Sequence, residues 1–292
     1  MEKYIAFDIG GTAVKYGLIA NEKILFSQEY DTKAMLGGTH IIEELCRRVK
    51  QMQQKETISG VCISTAGMVN SKEGSIIYAN DNIKGYTGMR IKKSVEETCM
   101  LPCEVENDVM CAGLCEQMSG AAAGSKATFC LTVGTGIGGC ILLDGSVYHG
   151  VSNCAGEIGY TRLSEGIFEQ EASTSALVRR VKESMRIEDM DGRKIFELAG
   201  AGNEICIREI DRLCENLAKG IANVCYIINP QVVVLGGGIM QQREYLEPIL
   251  NEKLNQYLLP EVRKHVELKF AQNGNEAGML GAYYNFMERQ HK

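Results

Sequence analysis

The chemistry in this chain starts at one strand-to-helix junction. Cys103-Glu104-Val105-Glu106-Asn107-Asp108 reads as a short strand, and Val109-Met110-Cys111-Ala112-Gly113-Leu114-Cys115-Glu116 as a helix whose apolar positions recur every three to four residues. Asn107 or Asp108 falls at the helix start. A carboxylate there is held by unpaired backbone N–H groups and the positive end of the helix dipole. Asp108 is therefore expected to stay ionised, with an ordinary pKa near ~4, and to be fixed in direction, as suits a base that accepts a hydroxyl proton. The plain alternative is a helix cap and nothing more. Three glycine-rich turns elsewhere weigh against it.

Those turns are Asp8-Ile9-Gly10-Gly11-Thr12, Gly134-Thr135-Gly136-Ile137-Gly138-Gly139 and Gly236-Gly237-Gly238. Glycine lets backbone N–H groups approach an anion closely, and successive amides form an anion-binding nest. Gly134, Gly136 and Gly139 spell a literal G-x-G-x-x-G, but the dinucleotide fingerprint needs a helix after it, and Cys140-Ile141-Leu142-Leu143 continues as strand. No Gly-Lys pair exists to make a Walker loop, and neither G-x-S-x-G nor H-E-x-x-H occurs. A phosphate-binding protein of another type remains.

The elements that must position these groups alternate between strand and helix. Tyr4–Ile19 reads as a hairpin with a glycine tip, and residues 128–143 repeat the plan, which suggests an internal duplication. Val232–Leu235 is a continuous apolar run typical of a strand buried on both faces, and Gly60–Ser64 reads as a further strand. Helical periodicity covers 39–54, 91–98, 107–119, 171–186, 203–228, 242–257 and 275–289. The alternation specifies an α/β protein. The small-residue segment Gly120–Ser125 marks a boundary and a candidate hinge, giving an N-terminal domain 1–120 joined by the C-terminal helix at about 275–292, and a C-terminal domain 121–274.

Composition narrows the function classes. A formal net charge of −6 gives no general attraction for nucleic acid or anionic membranes, and no Lys/Arg block overrides it. The N-terminus meets an acid within a few residues, unlike a signal peptide, and no apolar run reaches the ~20 residues of a membrane helix, so a soluble, cytoplasmic protein is expected. The 12 cysteines are scattered without a C-x-x-C pair; Cys62, Cys130, Cys140 and Cys225 sit in apolar runs as core residues would. Cys111 and Cys115 share a helix, but no His stands nearby to complete a metal site.

Taken together, the three glycine motifs resemble the two phosphate motifs and the adenosine motif of the actin-like ATPase (ribonuclease H-like) fold, in which two related domains surround a nucleotide cleft. More narrowly, Glu106-Asn107-Asp108 with the following Ala112-Gly113-Leu114, and Gly156-Glu157-Ile158-Gly159, resemble the ROK family (repressors, open reading frames, kinases), from Tyr4 to about Tyr284. The resemblance implies an ATP-dependent sugar kinase with Asp108 as general base and Asn107 beside it on the sugar. It implies Asp8, Gly10, Gly11, Thr12, Gly134, Thr135, Gly136, Gly138, Gly139, Gly236, Gly237 and Gly238 around the nucleotide, with Asp8 orienting the water shell of Mg²⁺. Glu157 and Glu169 would hold sugar hydroxyls, with Asn82 in the sugar loop. It further implies a homodimer, with a small-molecule sugar and no nucleic acid as partner. A ROK repressor would need a DNA-binding domain, for which no room is expected before Tyr4, and a silent sugar sensor is disfavoured by retention of Asp108 and all three glycine motifs.

Two departures from the family pattern bear on specificity. Many members carry a zinc loop of three cysteines and a His after Glu-x-Gly. Here Tyr160 takes the His position, and Thr161-Arg162-Leu163-Ser164-Glu165-Gly166-Ile167 is short and free of cysteine, so no zinc is expected. This arrangement most resembles β-glucoside kinases, with N-acetylmannosamine kinase or glucokinase as the alternatives. Tyr160 offers an aromatic face on which a second sugar ring could stack.

Overall fold

The computed structural model describes residues 1–290. The chain divides into two compact units, one made of Met1–Met118, His149–Ala155 and the chain from Asn275 on, the other of Ser119–Tyr148 and Gly156–Gly274.

In the first unit, β1 (Tyr4–Ile9) pairs antiparallel with β2 (Ala13–Ala20), which pairs with β3 (Lys23–Asp31). Helix α1 (Gly38–Gln53) leads to β4 (Gly60–Thr65), parallel to β1. A small hairpin, β5 (Met68–Asn70) with β6 (Ser75–Tyr78), precedes α2 (Ile91–Cys99). Strand β7 (Cys103–Asn107), parallel to β4, then runs directly into α3 (Asp108–Ser119). The sheet order is β3-β2-β1-β4-β7.

Side chains alternate across the sheet. One face carries Ile5, Phe7, Ile9, Val61, Ile63 and Val105 into a core with Ile41, Leu45 and Val49 of α1 and Ile91 and Val95 of α2. On the other face Asp8, Ser64 and Glu106 lie in one row, because Asp8 is opposite Ser64 and Ser64 opposite Glu106.

In the second unit β8 (Ala127–Val133) pairs antiparallel with β9 (Ile137–Leu143), which pairs with the short β10 (Ser146–Val147). Helices α4 (Phe168–Ala172), α5 (Thr174–Met185), α6 (Gly192–Gly200) and α7 (Glu204–Ile228) follow. Strand β11 (Val232–Gly236) is parallel to β8; after α8 (Arg243–Tyr257) and α9 (Pro260–Arg263), β12 (Glu267–Phe270) is parallel to β11. The order β10-β9-β8-β11-β12 repeats the first sheet's pattern of two antiparallel steps followed by two parallel ones. The core joins Leu131, Val133, Val233 and Leu235 to Leu213, Leu217 and Ile221 of α7.

The last helix, α10 (Ala277–Gln290), packs against β1, β4 and β7 of the first unit. Its side chains explain its sequence. Tyr4 meets Tyr283 edge to face and Phe286 at a tilt, and Gly60 leaves room for the Phe286 ring, which a Cβ there would meet at 2.3 Å.

Strands β3 and β12 and helix α6 were not legible as elements in the sequence. β3 lies at a sheet edge with exposed and half-buried residues, and its one apolar stretch, Ile24-Leu25-Phe26, is shorter than the run that marks a buried strand. The helical pattern at 171–186 is broken by Ser173, whose side chain accepts the Ala176 N–H and starts α5 afresh.

Candidate active site

Asp108 is the first residue of α3, at the carboxyl end of β7, where open α/β sheets place their ligands. Asn107 does the capping: its Oδ1 accepts the N–H groups of Val109 at 2.9 Å and Met110 at 3.1 Å. Its Nδ2 donates to the Gly67 carbonyl and to Asp108 Oδ1, both at 2.9 Å. The Val109 N–H also donates to Asp108 Oδ1, at 2.9 Å. One carboxylate oxygen is thus anchored and the side chain is locked in direction.

The electrostatics correct the expectation of an ordinary acid. Burial, and then the charge of Asp8, push the Asp108 carboxyl up to about 7, against the pull of the Val109 amide and Asn107. The helix-start amides are present, but desolvation and a like charge outweigh them. Asp108 as a whole is half-buried.

Asp8 is positioned by its row. Ser64, fully buried, donates to Asp8 Oδ1 at 2.7 Å, and burial raises the Asp8 pKa against the effects of Ser64 and Lys15. The last member, Glu106, is fully buried and receives the Asn107 N–H on Oε1 at 2.8 Å and His149 Nε2 on Oε2 at 2.7 Å. His149 was not singled out from the sequence. Its partner is far away in the chain, so no spacing signals the pair.

The first glycine turn is closed by the Gly10 N–H to the Ala13 carbonyl at 3.0 Å, and Thr32 Oγ1 donates to the Gly10 carbonyl at 2.7 Å. Gly11 and Thr12 are exposed at its tip. Asn82 is brought beside it, its Cβ 4.0 Å from where a Gly11 Cβ would stand.

In the second unit, Gly134 donates to the Gly136 carbonyl at 2.9 Å to close the β8–β9 tip, with Thr135 exposed. Gly138 and Gly139 already lie in β9, and Gly139 is buried against Gly156, whose carbonyl a Cβ would meet at 2.5 Å. Gly139 is therefore a packing glycine two strand positions beyond the tip. Gly237, with φ 105°, sits against the Val133 carbonyl, so the third turn is stacked on the end of β8; Gly236 ends β11 and Gly238 opens a short 3-10 turn.

Gly134, Thr135 and Gly238 line a cavity of about 850 Å³ together with Thr174, Ser175, Asp191 and Gln242. That size suits a nucleotide-scale ligand. The last four residues were missed in the sequence. The cap signature at Ser173 was the one local signal for Thr174 and Ser175.

Glu157 precedes a 3-10 turn, Ile158–Tyr160, and burial followed by the charge of Glu169 raises its pKa. Glu169, on α4, accepts the Ile137 N–H at 2.9 Å on Oε2. Tyr160 is 60% exposed, and Leu163 and Gly166 exchange backbone hydrogen bonds, folding the segment after it into a tight turn.

The family model described as "ROK family" matches residues 4–289. An uncharacterised protein of Clostridium perfringens (strain 13 / Type A) is 45% identical over 295 residues, covering 100% of both chains. A β-glucoside kinase of Listeria innocua serovar 6a is 29% identical over 303 residues, with 99% of each chain covered. Among solved structures, a ROK family glucokinase from Streptomyces griseus in complex with glucose and AMPPNP matches with a TM-score of 0.85 at 27% identity, covering 99% of each chain. The fold is that of the actin-like ATPases, and the chain belongs to the ROK family.

Proposed function

We propose that this ROK sugar kinase transfers the γ-phosphoryl group of ATP to the primary 6-hydroxyl of a sugar, with the non-reducing glucosyl unit of a β-glucoside such as cellobiose as its preferred acceptor. The observation that carries the chemistry is Asp108, anchored through Oδ1, with its pKa raised to about 7. A base poised near neutral pH combines a useful ionised fraction with real basicity.

In this reading the O6–H proton passes to Asp108, the O6–Pγ bond forms, and the bond from Pγ to the β–γ bridging oxygen breaks to release ADP. Phosphoryl transfer depends chiefly on positioning and charge stabilisation. The amides around Gly10–Thr12 and Gly134–Gly136 cradle phosphates, and the cavity bordered by Gly238 takes the nucleoside. Asn82, Glu157 and Glu169 hold the sugar, while Asn107, expected beside them on the sugar, has its amide fully bonded to Val109, Met110, Gly67 and Asp108 and acts by holding the base in place. Asp8 offers a hard carboxylate beside the first glycine turn, as Mg²⁺ requires, and would hold the ion through its water shell. When bound, Mg²⁺ neutralises charge on the phosphates.

Tyr160, 60% exposed next to a shortened turn, supports a two-ring acceptor, because an aromatic side chain at that position suits a second sugar ring. The similarity to the Listeria β-glucoside kinase supports the same acceptor. The test is kcat/KM for cellobiose, a monomeric β-glucoside, glucose and N-acetylmannosamine in one coupled ADP-release assay. The β-glucosides are expected to lead. A preference above about tenfold for N-acetylmannosamine, about 1.4 kcal/mol of transition-state discrimination, would overturn the acceptor and leave the kinase standing.

A further inference from the structure

Glu169 stands between two pieces of the second unit that serve different substrates. On one side its Oε2 accepts the Ile137 N–H at 2.9 Å, at the tip of the β8–β9 hairpin. The same carboxylate lies over the bare α-carbon of Gly136, where a Cβ would meet Oε2 at 2.2 Å and Cδ at 2.9 Å. On the other side Glu169 packs against Gly159 of the Gly156-Glu157-Ile158-Gly159 segment, its Cβ 3.5 Å from where a Gly159 Cβ would stand.

The hairpin tip is gripped at a second point from the same stretch of chain. Thr174, which opens α5 just after α4, donates its N–H to the Gly134 carbonyl at 2.9 Å. Residues 169–174 therefore bracket the tip, with an amide-to-carboxylate bond at Ile137 and an amide-to-carbonyl bond at Gly134. Thr174 also lines the cavity that includes Gly134 and Thr135. A carboxylate has two oxygens and about four acceptor sites, so Oε2 can hold the hairpin while Oε1 accepts a sugar hydroxyl.

We propose that Glu169 is a positioning residue for the second glycine hairpin as well as a sugar ligand, so that one carboxylate couples sugar occupancy to nucleotide affinity. This rests on the kinase reading above and deepens it. Charge on Glu169 also bears on Glu157, whose pKa it helps to raise, so hydroxyl donors arriving between the two carboxylates relieve their repulsion and hold Glu169 in the orientation that fixes Ile137. A sugar that fixes Glu169 fixes the hairpin, and by linkage a nucleotide that fixes the hairpin raises affinity for the sugar by the same factor.

The test measures the dissociation constant of AMPPNP with and without saturating cellobiose or glucose, for wild type and for Glu169→Ala, Glu169→Asp and Glu169→Gln, alongside KM for the sugar. Wild type is expected to bind AMPPNP more tightly when sugar is present. Glu169→Ala and Glu169→Asp, which remove or withdraw the acceptor from Ile137, are expected to weaken AMPPNP binding about tenfold even without sugar and to abolish the sugar effect. Glu169→Gln keeps an oxygen for the Ile137 N–H, so its sugar-free AMPPNP affinity stays within about threefold of wild type while its sugar KM rises. Should Glu169→Ala not fold, the Asp and Gln variants carry the comparison. A rise in sugar KM with AMPPNP binding unchanged in the Ala and Asp variants would overturn the coupling and leave Glu169 a sugar ligand only. Wild type binding no AMPPNP at all would overturn the kinase reading and this proposal together.

Discussion

The carboxylate of Asp8 rests on the bare α-carbon of Gly278, in the first turn of α10: a Cβ built there would stand 2.4 Å from Asp8 Cγ and 2.6 Å from each carboxylate oxygen. The C-terminal helix thus helps fix the acid beside the first glycine turn. Nothing larger than hydrogen fits.

Gly278→Ala is accordingly expected to act on catalysis rather than on the helix. Alanine favours a helix over glycine by about 1 kcal/mol, so any loss must come from displacing Asp8. The expected result is a kcat at least about tenfold lower at saturating Mg²⁺ and ATP, with a retained helical spectrum. An unchanged kcat would mean that Asp8 tolerates displacement and has no part in the reaction.

The pH profile follows from Asp108. Its folded pKa is raised to about 7, and the base works only when deprotonated, so kcat/KM for the sugar should be level above that pH and fall about tenfold per unit below it. A flat profile from pH 8 to pH 5 would exclude this group as the base.

Glu106 and His149 make a prediction about stability. Removing the imidazole in His149→Ala leaves Oε2 of a fully buried carboxylate without its partner, which costs roughly 1–3 kcal/mol. A melting temperature lower by several degrees is expected in thermal unfolding, with His149→Gln recovering part of the loss through its amide N–H. Equal melting temperatures for wild type and the alanine variant would show the pair to be incidental.

Metal dependence separates two readings of the site. Chelation by EDTA should abolish turnover and Mg²⁺ should restore it, while zinc-selective chelation should have no effect. About one tightly held zinc per chain in elemental analysis would contradict this and direct attention to Cys111 and Cys115.

The two hairpins, the β11 run and the strand-to-helix junction at Asp108 were legible in the sequence because each is a local pattern: an apolar run, a glycine tip, a cap. The exposed edge strand β3 offered only the short run Ile24-Leu25-Phe26, and α6 was concealed by the helix-disfavouring glycines at its two ends, Gly192 and Gly200. At the site, residue types were legible and energies were not. The raised pKa of Asp108 depends on burial that only the packed sheet supplies, and then on Asp8, a hundred positions away in the chain. For the same reason the contact of Glu169 with Ile137, and the use of Gly139 to pack on Gly156 rather than to face a phosphate, could not be read from the motifs that contain them.

The measurement that bears most directly on the whole account is turnover by Asp108→Asn, which keeps the shape and an oxygen for the Val109 amide while removing the base. Steady-state ADP release with the best acceptor is expected to fall by ~10²–10⁴-fold, with AMPPNP and sugar affinities within about threefold of wild type. Turnover within threefold of wild type would contradict the assignment of Asp108 as the base.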